Sequence, residues 1–310
     1  MGLSEIIVVV LGLVLFETIS SIDNAVVNAD VLVGMSEKWR RWFLFWGILF
    51  AVFVVRGILP LLIIYLSTPG IGIVDAFTAT FQSGGEAAEV IERQAPVLLA
   101  GGGVFLIFLF LHWLFIETKK YAFFLERHLH KHYHFWFYAL ASIILLVIVW
   151  STIKTDPLIS LGAVIGSTAF FIVSGFKKNA EEKEKELTEG RMTDISKILY
   201  LELIDMAFSI DGILGAFAFT LSVPLILIGN GLGAFIVRYF TIHGVKTVRK
   251  YAYLKNGAMY SVGFLGLIMI FESFGLHIYS WVPPLVTFLV VGLFFYLSKK
   301  EMQMQHVISA

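Results

Sequence analysis

The chain has 310 residues, 58% of them hydrophobic, 15% aromatic and 15% charged, and its 23 basic and 23 acidic residues cancel. Soluble domains are about 45–50% apolar and about 25% charged, so the composition excludes a soluble enzyme, a disordered chain and a nucleic-acid binder. A mean hydropathy of +0.85 and 29 phenylalanines point instead to a polytopic membrane protein.

A helix needs about 20 mostly apolar residues to cross a bilayer. In chain order the sequence predicts nine such spans, roughly 4–33, 42–66, 96–116, 135–153, 157–176, 195–220, 224–241, 257–275 and 280–298. Met1-Gly2-Leu3-Ser4-Glu5 lacks a basic start, so no cleavable leader is expected. The segment 69–95, with Gly84, Gly85 and three glutamates, is too polar to span and reads as an extracytoplasmic loop. The run 177–197 reads as a charged cytoplasmic connector. It divides a first half (1–176, spans 1–5, first repeat 4–66) from a second half (198–310, spans 6–9, second repeat 195–241). The expected fold is an all-α membrane helix bundle. Placing the N-terminus outside and the C-terminus inside puts nineteen of the 23 Lys and Arg in cytoplasmic segments, as the positive-inside rule requires. Arg93 and Lys154 fall outside, and Arg56 and Arg238 lie within spans.

The two long acidic spans resemble each other. Glu17 precedes Ser21, Asp23 and Asn24 as Asp205 precedes Ser209, Asp211 and Gly212, giving acid-x-x-x-Ser-Ile-Asp in each. The span after each carries an arginine nine residues beyond a glycine, Gly47 to Arg56 and Gly229 to Arg238. The chain crosses five spans from the start of one motif helix to the start of the other, so the repeat is expected to be inverted, an arrangement that secondary transporters use to build a mid-membrane site.

Carboxylates there need a partner, because each costs about 2.5–3.5 kcal/mol at the bilayer centre on insertion scales. Glu17, Asp23, Asp205 and Asp211 against Arg56 and Arg238 leave two negative charges, the complement of one divalent cation. On a helix Glu17, Ser20, Ser21, Asn24 and Asn28 share a sector of about 100° at about 100° per residue. Ser209, with Glu202 one turn before Asp205, extends the second set. Oxygen donors of this kind suit Mn²⁺, Ca²⁺ or Mg²⁺. Asn24 and Gly212 are expected to permit local unwinding. Met206 is a secondary candidate through its thioether, as are Glu202 and Glu272 through their carboxylates.

The paired motifs, with Asp23-Asn24 and Phe208-Ser209-Ile210-Asp211 and the arginine in each following span, resemble the TerC family of integral membrane proteins, in a less characterised branch. That resemblance implies a bundle of the LysE-type exporter superfamily and manganese efflux. Gly212 stands where that family usually has a polar residue.

The expected function is therefore a secondary transporter for a divalent cation, Mn²⁺ efflux above all, with protons as a coupling ion and no prosthetic group. Its expected home is a prokaryotic plasma membrane, with a homo-oligomer as one arrangement. The rival readings are an intramembrane aspartyl-type enzyme, against which no Gly-x-Gly-Asp occurs, and an assembly factor for membrane proteins. Gly229-Asn230-Gly231 and Gly101-Gly102-Gly103 lie within spans and read as helix-packing surfaces, leaving no nucleotide site. The alternating His128, His130, His132 and His134 read as a juxtamembrane stretch, and His112 as a packing residue.

Overall fold

The structure, a computed structural model, describes residues 2–47, 49–67, 72, 74, 86–117, 134–188, 193–243 and 251–309. Within them the chain is helical and holds no strand. The helices are α1 (Leu3–Ser20), α2 (Ile22–Val33), α3 (Glu37–Trp42), α4 (Arg56–Ser67), α5 (Glu86–Phe115), α6 (His134–Thr152), α7 (Pro157–Thr188), α8 (Asp194–Ala216), α9 (Val223–His243), α10 (Leu254–Ser273) and α11 (Val282–Ser309).

Among the described residues seven helical stretches are long and apolar enough to cross a membrane: Leu3–Ser20, Glu92–Phe115, Phe135–Thr152, Pro157–Asn179, Val223–Thr241, Leu254–Ser273 and Val282–Gln303. The other two expected spans, 42–66 and 195–220, are not among them, so nine spans are not confirmed. Segment 42–66 is broken: α3 runs into two π-helical stretches, Phe43–Gly47 and Phe50–Val55, before α4 begins at Arg56. Segment 195–220 is the helix α8, but Asp194, Lys197, Glu202, Asp205 and Asp211 keep it from being uniformly apolar.

The most buried span is α5, which packs against α7 on one side and α10 on the other. Glycines set those contacts. A side chain on Gly166 would collide with the Gly101 carbonyl, and one on Gly103 would meet the Gly266 carbonyl at 3.0 Å. Small residues allow such backbone approach in a membrane, where dispersion contacts rather than water exclusion hold helices together. Around this centre Phe105 and Phe108 pack edge to face on Phe170, Phe137 lies tilted against it, and the His112 ring lies 5.5 Å from that of Phe137 and 5.9 Å from that of Phe170.

The outer faces are apolar. Leu3, Ile7 and Leu11 on α1, Leu146, Val147 and Trp150 on α6, and Leu289, Leu293 and Tyr296 on α11 are all exposed. Patches of this extent on every side are what lipid requires and water does not tolerate. The chain is an integral membrane protein.

Two differences concern the motif helices. The first span is not one helix: Ser21, with φ −93° and ψ 8°, separates α1 from α2, well off the helical ψ of about −42°. The unwinding expected at Asn24 and Gly212 does not occur at either. Asn24 lies inside α2 and Gly212 inside α8. The connector 177–197 is largely helical too, since α7 continues to Thr188.

Candidate functional site

Three contacts align α8 with the α1–α2 pair. Gly212 lies against Glu17, Asp205 bonds Asn28, and the Lys197 ammonium donates to the Gly34 carbonyl at 2.9 Å. Residue numbers fall on one side as they rise on the other, so the two motif-bearing segments run antiparallel. Gly57 against Leu227, and Gly47 against Arg238, place the segment 43–57 antiparallel to α9 in the same way.

Two buried charge clusters result, at different depths. In the first, Arg56 Nη2 donates to Glu17 Oε1 at 2.5 Å, and the Ser21 hydroxyl donates to the same oxygen at 2.9 Å. Glu17 is only 1% exposed. Its carboxylate fits because Gly212 and Gly233 face it: a Cβ on Gly212 would lie 2.7 Å from Glu17 Oε2, and one on Gly233 2.6 Å from Glu17 Cβ. Glycine at 212 is thus a matter of space. Ser20 turns its hydroxyl to the Glu17 carbonyl at 3.3 Å.

In the second cluster Asn28 Nδ2 donates to Asp205 Oδ1 at 3.0 Å, while Arg238 Nη2 stands 3.9 Å from Asp205 Oδ2. The Arg238 guanidinium also lies 4.4 Å from the Phe43 ring centroid, a cation–π seat of about 0.5–2 kcal/mol. Glu202, one turn before Asp205, occupies a notch at Gly47, where any side chain would overlap Glu202 Oε1. Neither Glu202 oxygen has a hydrogen-bond partner among the described residues, and Asn28 Oδ1 has none either. The Ser209 hydroxyl is spent on the Asp205 carbonyl at 2.6 Å.

The remaining candidates are placed as follows. Asp211 Oδ2 forms an ion pair with Lys177 of α7, both side chains largely buried. The side chains of Asp23 and Asn24 lie outside the described residues. Met206 points outward, 38% exposed, away from the buried side of Asp205. Glu272 lies one residue before the end of α10 and touches neither cluster in any described contact. His128, His130 and His132, and most of the loop 69–95, lie outside the described residues; His134 begins α6 and Glu92 is exposed. Among the described residues no three Asp, Glu, His or Cys side chains are grouped to hold a metal.

Reading by charge overlooks Lys177, the notch at Gly47 and Asn230. Asn230 is fully buried, and neither of its side-chain polar atoms has a partner among the described residues. A lone amide between two glycines in an apolar span was its only signal.

Among known proteins, the chain is similar to the "Uncharacterized membrane protein YceF" of Bacillus subtilis (strain 168), at 30% identity over 107 residues, 34% of this chain. That match covers 42% of the relative's length. No solved structure matches. A family match extends over residues 22–304, and it overturns the resemblance to TerC: the family matched is a different one, and the manganese efflux which that resemblance implied loses its support with it. The paired acid-Ser-Ile-Asp motifs are too short to decide between families of polytopic proteins that bury carboxylates. With most of its length matched, the chain belongs to the family described as "Protein of unknown function (DUF475)".

Proposed function

We propose that the protein is a secondary transporter for a divalent cation, taken up between α2 and α8 by Glu202, Asp205 and the Asn28 amide oxygen. The observation that carries this reading is the second cluster, where two neighbouring carboxylates face one arginine that sits 3.9 Å from Asp205 and has a second seat on Phe43. A buried polar atom without a partner costs about 1–3 kcal/mol, and more when charged. Glu202 presents two such atoms and Asn28 a third. A cation bonded to those oxygens and to Asp205 would satisfy all three, while Arg238 withdraws to the Phe43 ring.

The donor set is carboxylate and amide oxygen, which favours Mn²⁺, Ca²⁺ and Mg²⁺ over softer metals. Mn²⁺ efflux in exchange for protons is the specific form put to test. The antiparallel motif segments support an inverted repeat of nine spans, N-terminus out and C-terminus in, in which the Glu17–Arg56 and Asp205–Arg238 pairs are counterparts.

The test is Mn²⁺ flux across vesicles containing the purified protein. Wild type is expected to move Mn²⁺, with Ca²⁺ and Mg²⁺ competing according to preference. Glu202→Gln and Asp205→Asn are expected to lower the flux by at least about tenfold, the loss of roughly 1.4 kcal/mol of binding, with the protein still inserted and monodisperse. Equal flux through wild type and both variants would remove this site.

A further inference from the structure

Lys177 stands near the end of the span Pro157–Asn179. A lysine in that position ordinarily extends outward, so that its ammonium reaches the headgroups while its stem covers apolar surface. Its neighbour Lys178 is exposed. Lys177 does the opposite: it turns inward along α7 to form an ion pair with Asp211 Oδ2, with side-chain exposures of 15% and 14%. Asp211 is the acid whose motif neighbour Asp205 has an arginine from its own half, yet its partner comes from a helix outside the repeat. Its second oxygen, Oδ1, is buried without a hydrogen bond among the described residues.

We propose that Lys177 is a tethered cation: it holds the Asp211 carboxylate while no transported ion is there, and swings toward the membrane surface when one arrives. This rests on the transporter reading above and adds a second station and a coupling residue to it. An ammonium on a flexible four-carbon stem suits the role, because it is a compact point charge with three freely turning donors. The exchange keeps a cation at Asp211 throughout, so the acid is never left buried and unpaired, a state that is strongly destabilising. It follows that incoming ions compete with Lys177, and that the amine sets the affinity from within.

The experiment is titration of the purified full-length protein with Mn²⁺ alone, followed by electron paramagnetic resonance of the free ion. Lys177→Met is expected to tighten Mn²⁺ binding by about tenfold or more, because the competitor is gone. Lys177→Arg, which keeps the charge, is expected to stay within about threefold of wild type. Asp211→Asn is expected to abolish the tightening when combined with Lys177→Met. A purely structural ion pair predicts instead that Lys177→Met binds no better than wild type and unfolds at a lower temperature, which would overturn the proposal. If wild type binds Mn²⁺ and Lys177→Met binds it equally, the tethered cation fails and the transporter reading stands. If neither wild type nor Lys177→Met binds Mn²⁺, both fall.

Discussion

Glu17 shows how far a single buried charge constrains its surroundings. It is 1% exposed; Arg56 and Ser21 hold its Oε1, and Gly212 and Gly233 leave the space it fills. Arg56→Ala is therefore expected to destabilise the protein by about 3–5 kcal/mol, since it strands a buried charge. The double variant Glu17→Gln with Arg56→Met should recover most of that, and thermal unfolding in detergent measures both. Gly212→Ala is expected to lose about 1–3 kcal/mol by overpacking, because Glu17 Oε2 at 2.7 Å from the new Cβ is pinned by its partners. The acids and the two arginines attract notice in the sequence because charge inside apolar runs is rare. Lys177 and Gly47 do not: the first lies in a charged stretch, and only coordinates give the direction of its side chain. The importance of the second lies in an absent Cβ, which has no signature of its own.

At the scale of elements, helix type was legible from apolar run length, while extent and interruptions were not: α5 begins at Glu86 and α7 continues to Thr188. The break at Ser21 and the π-helical stretches Phe43–Gly47 and Phe50–Val55 leave the hydrophobic pattern unaltered. A π-turn adds a residue to a turn and is frequent at functional sites; here the first ends at Gly47, beside Glu202 and Arg238, and the second ends one residue before Arg56. Deleting Val54 is expected to rotate Arg56 by about 100° and to abolish Mn²⁺ flux, while deleting Lys300, exposed on α11, leaves it intact. The glycine seams make a separate prediction. Gly166→Leu would drive a side chain into the Gly101 backbone, which cannot yield, whereas Gly175 has nothing within 4 Å of an added Cβ. Gly166→Leu should therefore fail to give monodisperse protein in size-exclusion chromatography, and Gly175→Leu should behave as wild type.

Over the whole molecule, composition already dictated an all-helical membrane bundle, and the exposed apolar faces agree with it. Family membership was not legible, because a match spread over residues 22–304 outweighs a seven-residue motif. The topology is open to chemistry: the chain has no cysteine, so single cysteines report without background. Cysteines at Lys154 and Lys300 are expected to react with a membrane-impermeant maleimide from opposite sides, Lys154 from outside and Lys300 only from inside. Reaction of both from the same side would contradict the nine-span orientation.

The claim on which the rest depends is that α2 and α8 hold a cation between them. Anomalous scattering at the manganese edge from crystals soaked in Mn²⁺ tests it directly. The account predicts a peak within bonding distance of Glu202, Asp205 and Asn28, lost in Asp205→Asn. Peaks confined to the protein surface, with Arg238 bonded into Asp205 and Glu202 instead, would contradict it.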